Sequence, residues 1–135
     1  MLCSAKRKQG EKALKNYLGF FIILFLLIAM IATSVIQFNM FSDQLLTKAY
    51  ELKNAPKDKI ESVYNNLKEN FQKKENVMMM FINQSSYKEL YRCLIRVEYD
   101  IKFERGYNLN IDIDELIFYL EEIIEGEKSQ LNNIF

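Results

Sequence analysis

Hydrophobic positions follow two different patterns along this chain. Residues 18–36 read LGFFIILFLLIAMIATSVI, 19 residues without a charge, interrupted by polar groups only at Thr33 and Ser34. Beyond that run, apolar residues recur at intervals of three and four, the spacing of helices with one buried stripe. At 1.5 Å per residue the run covers roughly 28 Å, close to a hydrocarbon thickness of about 30 Å. A helix apolar on all sides needs an apolar surround, and a chain this short has too little other mass to enclose one. The run therefore predicts a membrane-spanning helix, which satisfies its own backbone polar groups in lipid.

The stripes predict the rest of the architecture. Phe38, Phe41, Leu45, Ala49 and Leu52 continue the first helix outward as a stem to about residue 53, where Asn54-Ala55-Pro56 reads as a turn. A second helix is expected from about Lys57, on Ile60, Val63, Tyr64, Leu67 and Phe71, and it runs into Val77, Met78, Met79, Met80, Phe81 and Ile82. Six consecutive apolar residues exceed one stripe, so core is expected there. Methionine-rich surface is also adaptable, which makes Val77, Met78, Met79, Met80 and Phe81 the candidate partner-contact residues.

Ser86-Tyr87-Lys88-Glu89 has the form of a capping box and predicts the start of a third helix, carried by Leu90, Leu94, Val97 and Ile101 and closed by Gly106 in a left-handed conformation. Tyr87, Tyr91 and Tyr99 are expected at the edge of its core face. Residues 108–114 alternate polar and apolar like a short strand, yet Asp112 as N-cap, Glu115 three residues on, and Ile111 with Leu116 as a staple predict a fourth helix starting there. Leu116, Ile117, Leu120, Ile123 and Ile124 carry it to an end near Gly126, and the apolar terminus Asn133-Ile134-Phe135 is expected to dock.

The predicted fold is all-α: one N-terminal transmembrane helix continuing into a stem, followed by a small antiparallel helical bundle. Its three parts are a basic cytoplasmic segment over 1–17, a transmembrane helix over 18–37 and an extracytoplasmic helical domain over 38–135.

Charge sets the expected orientation. The chain has 18 basic and 18 acidic side chains, but Lys6, Arg7, Lys8, Lys12 and Lys15 precede the apolar run with only Glu11 opposing them. That end is expected in the cytoplasm, with the rest of the chain on the outer face of the cell membrane. A zero overall balance speaks against nucleic acid as a partner. A basic start, an apolar stretch and small residues at Ala32 and Ser34 also sketch a cleavable signal peptide. The run is longer than a signal core of about 7 to 15 residues, which favours an uncleaved signal anchor.

Candidate chemistry is sparse. Histidine is absent, which removes the usual base near neutral pH and every His-containing nucleophile pair or zinc set. Cys3 and Cys93 fall on opposite sides of the predicted membrane and cannot pair within one chain, and Cys93 reads as a small buried hydrophobe. Asn108, Asn110, Asp112 and Asp114 have the spacing with which a calcium loop begins, but Ile113 stands where the loop needs glycine and Tyr119 where it needs glutamate. Asn83-Gln84-Ser85 matches the N-glycosylation pattern, a frequent chance match. No cofactor or metal is expected.

The order of parts, with a basic start, one span, about 95 helical residues and a terminal Asn-Ile-Phe, resembles the domain-of-unknown-function 4363 family of bacterial membrane proteins. Its helix ending in an apolar turn, its following helix, its last amphipathic helix and its Glu-containing linker align with 78–84, 86–105, 114–125 and 127–135. Gln84 stands where members tend to carry histidine and Phe71 where tryptophan is common, so a polar site built on that histidine would be missing. The resemblance implies this topology and a Gram-positive host, and no mechanism.

The expectation is thus a membrane-anchored, non-enzymatic interaction or structural module of the cell envelope, with the lipid bilayer and an envelope protein or a second copy as partners. One alternative is a secreted helical protein released by cleavage. Another is a ligand-binding or enzymatic domain using carboxylates and tyrosines, visible as a pocket lined by Glu98, Asp100, Glu104 or Tyr91.

Overall fold

A computed structural model describes the backbone of residues 2–134 and the side chains of residues 7–129 and Asn133. The described residues form five helices and no strand: α1 (Leu2–Lys53), α2 (Ile60–Lys73), α3 (Glu75–Phe81), α4 (Gln84–Lys102) and α5 (Gly106–Ile134). The chain divides into two compact units, Met1–Ile36 and Gln37–Phe135. The first contains the apolar run, and it is the one helical stretch among the described residues long and apolar enough to cross a membrane. Its side chains point outward all round, Phe20 through Ile28 each exposing between 41% and 71%. The hydroxyls of Thr33 and Ser34 donate to the carbonyls of Ala29 and Met30 at 2.7 and 2.9 Å, so both polar interruptions are satisfied within the helix.

The second unit is the predicted bundle. Residues 37–53 of α1 carry the stripe Phe38, Phe41, Leu45, Ala49 and Leu52, all buried. Against it pack Tyr64, Leu67 and Phe71 of α2, Met78 of α3, Leu90, Cys93, Leu94 and Val97 of α4, and Leu109, Ile113, Leu116, Ile117 and Leu120 of α5, in one contiguous core. Polar contacts mark the register of neighbouring helices. Lys48 donates to Asn66 at 2.8 Å between α1 and α2, and Lys53 pairs with Asp114 at 2.7 Å while Tyr50 donates to Glu121 between α1 and α5. The Tyr64 hydroxyl donates to the Leu94 carbonyl at 2.8 Å, and Lys68 pairs with Glu98 at 2.7 Å, both between α2 and α4. Arg96 pairs with Glu115 at 2.6 Å between α4 and α5. Lys53 meets Asp114 while Tyr50 meets Glu121, so α5 runs antiparallel to α1, and the stacking of Phe71 on Tyr87 beside the Tyr64–Leu94 bond sets α4 antiparallel to α2. Burial, then the Glu98 carboxylate beside it, pushes the Tyr64 phenol well above its usual value.

Several expected boundaries move. The predicted second helix is two, because the chain breaks at Lys74, which leaves the helical region at φ −114°, ψ 12°. A continuous helix would have put Lys74 and Glu75 on the stripe between Phe71 and Met78. The break leaves both in solvent while Met78 stays buried.

The third helix begins two residues before Ser86. Asn83, with extended backbone, is the N-cap, and its Oδ1 accepts from the Ser86 N–H at 2.8 Å. The Ser86 capping box is therefore not used, and Glu89 pairs with Arg92 instead at 2.7 Å. Asparagine caps as well as serine does, and the earlier start adds half a turn.

Gly106 does not close this helix. The left-handed residue is Glu104, at φ 52°, with Glu104 N–H donating to Ile101 O at 3.3 Å and Arg105 N–H to Asp100 O at 2.9 Å. That pair of bonds is a Schellman closure. Gly106 instead opens α5, six residues ahead of the expected start, so Asp112 lies inside the helix and its capping box and staple do not form. Starting earlier brings Leu109 into the core along with Ile113.

α5 also passes through Gly126 without a break and runs to Ile134. The docking expected of the apolar terminus falls on side chains outside the described residues, apart from Asn133, which is exposed.

A glycine inside a helix and a glycine that ends one respond oppositely to alanine. Gly126 has a negative φ and open space around it. Gly126→Ala should therefore raise the stability of the detergent-solubilised full chain by about 1 kcal/mol in urea unfolding followed by far-UV circular dichroism. A loss of stability would end α5 at Gly126.

Candidate functional site

The candidate contact segment is divided by α3. Met78 is fully buried, Val77 and Phe81 are half-buried, and Met79 and Met80 are 55% and 79% exposed. Seven helical residues cannot turn five consecutive apolar side chains in one direction. Phe81 packs against Phe38 of α1 with ring centroids 4.9 Å apart. The core half of the segment and the surface half are therefore interleaved, residue by residue.

The polar chemistry gathers between α4 and α5. A hollow of about 410 Å³ is lined by Ile95, Arg96, Tyr99 and Asp100 from α4, Arg105 from the turn, and Asn108, Ile111 and Asp112 from α5. Of the four residues singled out for a pocket in the sequence, Asp100 alone lies here. Glu98 faces α2, where it accepts from Lys68 and Tyr64. Glu104 forms the closing turn. Tyr91 stacks with Phe71 and Tyr87.

Asp100 is 5% exposed, and its Oδ2 is fully enclosed without a hydrogen-bond donor. A carboxylate oxygen in that position is costly unless a proton or cation meets it. The neighbouring group is Asp112. Burial, followed by the hydrogen bond and the charge of Asp100, lifts the Asp112 carboxyl above its usual range, against the opposing pull of Arg96. Arg96 is held off by other partners, Glu115 at 2.6 Å and the Cys93 Sγ at 3.2 Å, and comes no nearer to Asp112 than 3.8 Å. A proton on Asp112 would offer Asp100 a hydrogen-bond donor across the α4–α5 seam.

Cys93 has no exposed surface, and burial pushes its thiol up despite Arg96, so it is a poor nucleophile. The sequence pairs no cue to join Asp100 with Asp112. Twelve residues and a turn separate them, and only the antiparallel register of α4 and α5 brings them together.

A second hollow of about 490 Å³ lies between the first turn of α4 and the later part of α5, with Glu89, Glu122, Glu125 and Glu127 among its lining. Burial raises the Glu127 carboxyl. Among the described residues, no three of His, Cys, Asp and Glu come together as metal ligands. The alternating donors Asn108, Asn110, Asp112 and Asp114 lie on one helix, where residues two apart point about 200° from each other and cannot converge.

No protein-family model, curated protein or solved structure matches the chain.

A carboxyl whose folded value is raised contributes stability that is complete below its unfolded value and is lost as pH rises through the folded one. Asp112→Asn keeps a donor toward Asp100 at every pH. Wild type and variant should therefore unfold at similar urea concentrations near about pH 4, and the variant should unfold at the higher concentration near about pH 8. Equal midpoints at both values would remove the proton from this pair.

Proposed function

We propose that this chain is a single-pass membrane protein with a cytoplasmic amino terminus and an extracytoplasmic helical bundle, acting in the cell envelope by contact and not by catalysis. The observation that carries the reading is a single helix, uncharged over residues 16–42 and exposed around its circumference over the apolar run 18–36, that passes without a break into the buried stripe beginning at Phe38. An apolar cylinder of that length is stable where lipid surrounds it. The five basic residues ahead of the run, against one acidic residue, support retention of that end in the cytoplasm.

The apolar run is longer than a signal core of about 7 to 15 residues, which favours an anchor over a released domain. The order of parts also supports kinship with the domain-of-unknown-function 4363 family. An envelope protein or a second copy of the chain is the partner in this proposal, with the bilayer as the permanent contact.

Protease shaving of intact protoplasts carrying an epitope tag after Phe135 tests topology and cleavage together. The tag should remain cell-bound at full length and disappear on shaving. A tag that survives shaving would put the bundle in the cytoplasm, and a shortened product in the medium would make the first helix a cleaved signal.

A further inference from the structure

We propose that α3 rests on the membrane surface, with Met79 and Met80 entering the boundary between headgroups and acyl chains. The inference builds on the reading of α1 as a span and identifies the bilayer itself as the occupant of the exposed methionine face.

The uncharged stretch of α1 does not stop where the second unit begins at Gln37. It continues through Ser42, and Asp43 is the first charge. Residues 37–42 are therefore the end of the bundle at which the chain meets the bilayer. α3 lies at that end, because Phe81 packs on Phe38 and Ile82 is buried in the same core. The other two joins, 54–59 and 103–105, belong to the opposite end, as the pairing of Lys53 with Asp114 requires. Of the connections between α1 and α5, α3 is the one beside the uncharged end.

Its own residues suit that position. Met78 anchors one side of α3 in the core, which turns Met79 and Met80 outward as flexible side chains with no polar group to hydrate. Met40 of α1, 60% exposed, adds a third apolar side chain at the same end. Lys73 and Lys74 stand at the head of α3, both in solvent; Lys73 pairs with Glu69 at 2.8 Å, and Lys74 has no carboxylate within ion-pair distance among the described residues. An apolar face bordered by lysine is the pattern of a helix lying in an interface, where the ammonium groups meet anionic headgroups. The Glu75 carboxylate beside them is engaged by the Tyr87 hydroxyl.

The chain contains no tryptophan, so a single introduced indole reports on one place. Met80→Trp, Leu27→Trp and Tyr107→Trp, each in the full chain, would be reconstituted into phosphatidylcholine–phosphatidylglycerol vesicles, without brominated lipid, with lipid brominated near the headgroup end of the acyl chain to read Met80→Trp and Tyr107→Trp, and with lipid brominated near the terminal methyl to read Leu27→Trp at the midplane. Leu27→Trp should be quenched if α1 spans. Met80→Trp should also be quenched, at least about twofold more than Tyr107→Trp, which places the same ring at the opposite end of the bundle. Met79→Trp reads the same surface should Met80→Trp lose helicity. Quenching of Leu27→Trp with Met80→Trp as bright as Tyr107→Trp would overturn the proposal and leave the span intact. A blue-shifted but unquenched Met80→Trp would overturn it in favour of a protein partner. An unquenched Leu27→Trp would sink the span and this inference with it.

Discussion

Everything in this molecule depends on a change of environment along one helix. Upstream, α1 has no buried face; from Phe38 onward it has one, made by Phe38, Phe41, Leu45, Ala49 and Leu52. An exposed stripe of that length would be an association surface in water, and α2, α4 and α5 cover it. The polar links at Lys48, Tyr50 and Lys53 lie along the flanks of the stripe, where they align the covering helices; exposed pairs of this kind contribute little to stability beyond that.

The α4–α5 pair is built differently. Apolar contacts line its inner side, and toward the turn it closes over two carboxylates. Burying Asp100 with an unmet oxygen is unfavourable, and the neighbouring Asp112 offsets this only in its protonated form. Arg96 could neutralise the pair, yet Glu115 and Cys93 hold its guanidinium. Both carboxylates line the hollow between α4 and α5, whose walls are acidic, basic and apolar.

The helical stripes were legible because each is a local property. Leu45, Leu67, Leu90 and Leu116 could be placed in the core from spacing alone, and all four are buried. Boundaries were less legible, since each end of a helix offers several chemically adequate solutions. Asn83 and Ser86 both cap; Glu104 and Gly106 both can turn a chain; Asp112 can start a helix or sit within one. The selection was made by which choice buried more of the neighbouring stripe, as when the early start of α5 brought in Leu109. The methionine segment shows the same limit. Its composition marked it as unusual, but only the break at Lys74 and the seat of Phe81 on Phe38 decided that Met78 belongs to the core and Met79 and Met80 to the surface.

By itself the sequence determined the all-α class, the apolar run and most of each buried stripe, Leu109 and Ile113 excepted, because hydrophobic periodicity needs no knowledge of neighbours. The tertiary structure alone decided where α3 breaks from α2, that Glu104 and not Gly106 takes the left-handed turn, and that Asp100 meets Asp112. Those outcomes depend on contacts between residues far apart in the chain, whose energies exist only once the helices have packed.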